Sequence, residues 1–162
     1  MNIYPSFEEV KEITEAGEYG LVPLATELFA DQITPIVALK ILKGVSDHVF
    51  MLESAEDNKR WGRYTFLGYD PKTEITLEDH RMKIRQGGKE ETLTVDHPAE
   101  RLRSLLAQYR SPSGSTLPPF TGGLVGYFSY DFIKYSEPTL VLGSGEDEHF
   151  KDMDLMLFDK VI

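Results

Sequence analysis

Residues 73–95, TEITLEDHRMKIRQGGKEETLTV, hold three short runs, TEITLED, RMKIR and KEETLTV, with apolar side chains at alternate positions. A period of two is the mark of strands, because successive side chains point to opposite faces. Gly87-Gly88 stands between the second and third runs, and a two-residue glycine loop joins neighbouring strands as an antiparallel hairpin. With helical segments set before and after these strands, the reading is an α+β fold.

Working upstream, RYTFLGY (63–69) reads as another strand, and so does HVFMLES (48–54). Val49 and Met51 take one face of the latter, Phe50 and Leu52 the other, which predicts cover on both sides. IVALKILK (36–43) reads as a helix opened by Thr34-Pro35 and closed by Gly44. Only Lys40 and Lys43 mark a polar face, so this helix is expected to be packed on most sides. Pro23 in EYGLVPLATELFA (18–30) points to an edge strand. Ser6 and Glu9 form a capping box for a first helix, with Gly17 at its far end.

Downstream, Leu102, Leu105, Leu106 and Tyr109 recur at helical spacing behind Pro98, predicting a helix over 98–110. A loop follows at 111–120. GGLVGYFSYD (122–131) reads as a strand with close backbone approach at its glycines, and MDLMLFDKVI (153–162) as an apolar strand. Leu155, Leu157 and Val161 on one side, and Met156, Phe158 and Ile162 on the other, predict that both faces need cover. A chain ending on such a strand is expected to be truncated, and residues 1–162 read as one domain.

Composition limits the function. Seventeen Lys and Arg against twenty-seven Asp and Glu give a net charge of −10, a poor match for nucleic acid or an anionic membrane. The absence of cysteine removes disulfides, thiol catalysis and Cys-ligated metals. Neither a membrane-crossing run nor a signal peptide is visible, so the expected compartment is the cytoplasm.

Few constellations suggest chemistry. Glu53 and Ser54 close an otherwise apolar strand, and a carboxylate there is costly unless paired. Two readings stay open: a small-ligand pocket in which Glu53 takes an ammonium, or a strand running into solvent. Lys59, Arg60 and Arg63 around Trp61 form either an anion clamp or a solvated loop. Arg81, Lys83 and Arg85 share one strand face and read as a basic sheet edge that discourages association. Gly122, Gly123 and Gly126 match no nucleotide-binding pattern, and Glu146, Asp147, Glu148, Asp152 and Asp154 read as a solvated acidic loop. Neither a catalytic group nor a metal ligand is assigned in this chain.

Taken together, the motifs resemble the N-terminal region of anthranilate synthase component I, a chorismate-utilising enzyme. Tyr4-Pro5-Ser6-Phe7 is similar to the family's opening Y-x-S-F, ADQITPIVALKIL to A-D-x-x-T-P-V-x-A, and MLES (51–54) to L-L-E-S. WGRYTFLGYDP resembles G-R-Y-S-F-I-G-x-x-P, and FTGGLVGYFSYDFIKYSEP resembles F-x-G-G-x-x-G-Y-x-x-Y-D-x-x-x-x-x-E. Met51 for Leu and Thr65 for Ser are the small departures.

The resemblance implies antiparallel strands forming half of a sheet sandwich, incomplete without a C-terminal chorismate-binding domain. It implies a parent lyase that converts chorismate and ammonia or glutamine to anthranilate and pyruvate, the first step of tryptophan biosynthesis. Mg²⁺ would be its cofactor and a glutamine amidotransferase subunit, component II, its partner. The chorismate and Mg²⁺ residues would lie in the C-terminal domain, leaving these 162 residues inactive alone. Ser54, with Glu53 and Leu52 beside it, would belong to the feedback site for L-tryptophan, and Arg63 stands where some relatives place a basic residue near that ligand. Two alternatives are aminodeoxychorismate synthase component I, of folate biosynthesis, and a stand-alone amino-acid-binding regulatory module. The intact Glu53-Ser54 pair and the GRYTFLG stretch favour anthranilate synthase.

Overall fold

The computed structural model describes residues 2–53, 64–112, 117–137, 139–140 and 150–162. Helix α1 (Phe7–Ala16) starts with the expected reciprocal cap: the Ser6 amide donates to Glu9 Oε2 at 2.7 Å, and the Glu9 amide to Ser6 Oγ at 3.3 Å. It stops at Gly17, whose φ of 69° lies in the left-handed region that glycine enters without steric cost. Helix α2 (Pro35–Lys43) is capped by the Thr34 hydroxyl and α3 (Pro98–Ala107) opens on its proline, both as the sequence predicts. Among the described residues, no helix is long and apolar enough to cross a membrane.

The strands among the described residues are β1 (Ile3–Tyr4), β2 (Ala25–Thr26), β3 (Val49–Glu53), β4 (Thr65–Tyr69), β5 (Thr73–Glu78), β6 (Arg81–Gln86), β7 (Lys89–Thr94), β8 (Gly123–Phe128) and β9 (Met153–Phe158). The principal sheet has the order β7-β6-β5-β9-β8, antiparallel throughout. Its inner face carries Ile75, Leu77, Met82, Met153 and Leu155, covered by Leu102 of α3 and by Tyr135 of a 3₁₀ helix (Tyr130–Tyr135). Together these elements form the α+β fold.

Several expectations change. Only Ala25–Thr26 of the 18–30 segment is a strand, a two-residue pairing with β1. β6 is an interior strand, so Arg81, Lys83 and Arg85 are no sheet edge; Arg85 instead pairs across both neighbours, with Glu74 at 3.2 Å and Glu90 at 3.0 Å. α2 is not packed on most sides: Leu42 is buried, while Ile36, Val37 and Ile41 are exposed. β3 is not covered on both sides either, being half-buried at Val49–Met51 and exposed at Leu52. β9, by contrast, finds cover within the chain, with Leu155, Leu157 and Phe158 buried. Asp152, read as part of a solvated loop, is only 5% exposed. Glu146, Asp147, Glu148 and the Lys59–Arg63 cluster lie outside the described residues.

The chain turns a corner after β9. Beyond Asp159-Lys160, Val161 bridges to Gly68, and Leu67 and Ile162 exchange backbone hydrogen bonds of 2.9 and 2.8 Å. Residues 161–162 thereby extend the β3–β4 ribbon. Lys72 pairs with Asp159 at 3.3 Å, and Lys160 pairs with Asp70, one ion pair on each side of the corner. The Phe50 ring meets Phe158 edge-on with centroids 4.8 Å apart, joining ribbon to sheet.

Candidate functional site

Ribbon register decides where the sequence-predicted site residues stand. Leu52 pairs with Phe66 and Glu53 with Thr65 at the end of β3. Being successive strand residues, Leu52 and Glu53 point to opposite faces. Both are exposed, and among the described residues Glu53 has no hydrogen-bond or ion-pair partner. Ser54 and Arg63 lie outside the described residues.

Their partners Thr65 and Phe66 line a cavity of about 970 Å³, which neither Leu52 nor Glu53 itself lines. Its walls come from the 20–25 segment, the end of α3, the 117–123 loop and the corner after β9. The Gly20 and Leu21 amides both donate to the Arg110 carbonyl, at 2.8 and 3.3 Å, and this fixes the first wall to the second. Tyr4, Tyr64, Phe66, Tyr109, Phe120 and Phe158 are among its lining residues. Lys72 is the one basic side chain among the described lining residues; Glu27 and Asp159 are the acidic ones. A large space lined by aromatic residues and a few charges suits a small amphipathic molecule.

A second polar group lies at the opposite end of β9. Asp152 Oδ2 accepts the Tyr135 hydroxyl at 2.6 Å and the Asp79 amide at 3.0 Å, and Oδ1 accepts Lys134 Nζ at 2.8 Å. Tyr135 in turn accepts the His80 amide at 3.0 Å. Burial alone would raise the Asp152 carboxyl, but the hydrogen bonds from Lys134, Tyr135 and Asp79 outweigh it and hold it below the ordinary carboxylate value. Burial, then the bond to Asp152, pushes the Tyr135 hydroxyl up to about 12. Both carboxylate oxygens of Asp152 are matched to donors within the chain. The group fastens the 3₁₀ helix to the sheet.

Sequence reasoning located the strand end but missed the cavity beside it. The signal was faint: Lys72 and Asp159 are isolated charges far apart in the chain, and only the antiparallel pairing of β5 with β9 brings them together.

Comparison with known proteins finds relatives along the whole chain. No family model matches the chain. It is 34% identical over 163 residues to "Anthranilate synthase component 1" of Aquifex aeolicus (strain VF5), covering 100% of this chain and 32% of that protein. The protein of that name in Pseudomonas aeruginosa is 34% identical over 150 residues, 91% of this chain and 30% of its own length. "Probable anthranilate synthase component 1" of Schizosaccharomyces pombe is 33% identical over 98% of this chain and 30% of its own length. The chain is homologous to part of anthranilate synthase component 1. It spans about a third of the length of these curated relatives. A crystal structure of anthranilate synthase component I from Streptococcus pneumoniae TIGR4 is also similar, with a TM-score of 0.47 and 26% identity over 85% of this chain and 28% of that one. Because the curated relatives are anthranilate synthases by name, the aminodeoxychorismate synthase alternative is not favoured.

Proposed function

We propose that this chain is the regulatory region of an anthranilate synthase component I and receives L-tryptophan as feedback inhibitor. The observation that carries this reading is the register of the ribbon: Thr65 and Phe66, which line the aromatic cavity, are the partners of Glu53 and Leu52 in the MLES motif. An indole ring suits the aromatic lining, and the few charged lining residues suit an amino acid's polar end. In this reading Ser54 and Arg63, which lie outside the described residues, would add polar groups for the ligand.

The parent enzyme would be a cytoplasmic lyase converting chorismate, with ammonia from a glutamine amidotransferase subunit, to anthranilate and pyruvate. Mg²⁺ would serve the chorismate site. Among the described residues, no group of three or more His, Asp or Glu side chains could hold a metal ion. In this reading the chain's own part is to bind the inhibitor.

Isothermal titration of the 162-residue chain with L-tryptophan, run beside L-leucine and L-phenylalanine, tests the reading. Saturable binding that ranks tryptophan first is expected. Equal or absent heats for all three would remove the regulatory assignment.

A further inference from the structure

We infer that residues 24–45 form a two-fold interface between two copies of this chain, the acidic and apolar loop of each copy lying against the basic and apolar face of α2 in the other. The inference does not depend on what the cavity binds.

Exposed apolar side chains are concentrated in this stretch. Its loop half, before α2, bares Leu24, Leu28, Phe29 and Ile33, with the Phe29 ring fully exposed. Its helix half bares Ile36, Val37, Ile41 and Val45. α2 packs on β3 and β4 with Leu42 buried and Ala38 and Leu39 half-buried, so the side bearing Ile36, Val37 and Ile41 is turned away from the body. So dense a set of bare apolar side chains marks a surface that another protein covers.

The charges choose the partner. Lys40 and Lys43 belong to the helix half, Glu27 and Asp31 to the loop half, and all four are exposed. Among the described residues, none of the four has an ion-pair or hydrogen-bond partner. Two α2 helices set face to face would bring lysine against lysine, so the helix half does not complement itself. It complements the loop half, which is apolar and carries the opposite charge. The two halves join at a turn in which the Ile33 amide donates to the Ala30 carbonyl at 3.2 Å. A two-fold axis at that turn lays each half on its complement in the second copy, so every contact is made twice.

Overall charge points the same way. Residues 24–45 hold two acids and two lysines, a balance of zero, in a chain of net charge −10. Like-charged copies repel over most of their surface, and this stretch lets them approach without that repulsion. Its length also suits one side of a standard interface, about 20–30 residues.

Sedimentation equilibrium of the 162-residue chain across concentration tests the interface. One variant, Glu27→Lys with Asp31→Lys, reverses the loop half, and another, Lys40→Glu with Lys43→Glu, reverses the helix half. A third, Phe29→Ser, removes the exposed ring. The unmodified chain is expected to associate and to stop at the dimer. Each charge-reversed variant alone should dimerise about tenfold more weakly, because each reversed charge enters the interface twice. An equimolar mixture of the two should regain the unmodified affinity, since each reversed half then meets its complement. Phe29→Ser should weaken the dimer at an unchanged melting temperature. A chain that stays monomeric, or that grows beyond the dimer, overturns the inference. So do reversed variants that associate as the unmodified chain does, or a mixture that recovers nothing while both variants melt normally. Should charge reversal itself lower the melting temperature, Phe29→Ser decides: unchanged association in that variant removes residues 24–45 from the interface.

Discussion

The Tyr135 hydroxyl and the Asp152 carboxylate meet at 2.6 Å, and their contact ties the 3₁₀ helix to the sheet. Asp152 is acceptor to three donors at once, from the side chains of Tyr135 and Lys134 and from the Asp79 backbone. Removing a buried acceptor leaves its donors without a partner, which costs more than the hydrogen bonds contributed. Asp152→Ala should therefore lower unfolding free energy by about 2–4 kcal/mol. Asp152→Asn, which keeps the shape and part of the bonding, should lose about half as much. Urea unfolding followed by circular dichroism checks both.

The same residues set limits on pH. A carboxyl held below its ordinary value in the folded state contributes stability above the unfolded value, about 4, and loses it as pH falls through the folded one. Tyr135 acts at the other end: its raised folded value, about 12, adds stability below the unfolded value near 10, lost as pH rises through 12. The chain should thus be most stable in the middle of the range. Melting temperatures across pH, repeated on Asp152→Asn, should show that the variant loses much of the acid limb.

At Gly126 the obstacle is backbone. A Cβ there would stand 2.0 Å from the Asp154 carbonyl oxygen and 2.9 Å from Leu155 Cα, neither of which can rotate away. Gly126→Ala should destabilise the chain by about 1–3 kcal/mol through forced separation of β8 from β9. Gly17→Ala meets nothing within 4 Å but must hold a φ of 69°, at a cost of about 1–2 kcal/mol. Thermal melts should find both destabilised. Only Gly126→Ala should speed amide hydrogen exchange along β8 and β9.

For the regulatory reading, Ser54→Ala is expected to weaken L-tryptophan binding by about two- to tenfold, the worth of one hydrogen bond. Ser54→Phe should weaken it further by occupying the space the ligand needs. Calorimetric titration of each variant measures the effect, and unchanged affinity in both would exclude Ser54 from the site.

Ile36, Val37 and Ile41 form an exposed apolar stripe on α2, with residue spacing that keeps them on one side of the helix. Exposed patches of this kind promote association in water. Sedimentation velocity should show concentration-dependent self-association, and Ile36→Lys combined with Ile41→Lys should reduce it without lowering the melting temperature.

Local chemistry was readable in advance where it decides structure locally. Ser6 with Glu9, Thr34 with Pro35, and Gly87-Gly88 each act on neighbours a few residues away, and each element formed as expected. Arg81, Lys83 and Arg85 misled because a strand's rank in a sheet depends on distant partners, and β7 takes the edge position. Asp152 misled for a related reason. Its donors come from the turn after β5 and from the 3₁₀ helix, and nothing in its own surroundings in the sequence announces them. The strand that ends at Leu52 and Glu53 was legible as a strand, whereas Lys72 and Asp159 become neighbours only through the sheet.

The placement of β9 between β5 and β8 has a consequence for the order of assembly. β5, β6 and β7 are joined by short turns and can zip together early, but β5 then waits as an open edge for β9, far along the chain. Pairing partners so far apart in the chain close slowly, because a large loop must be gathered before any contact rewards it. The same late segment carries Ile162 to Leu67, so ribbon and sheet are completed in one event. During synthesis, Ile75 and Leu77 are therefore without their β9 neighbours until residues 153–158 have emerged. That interval is when a chaperone would have most to shield.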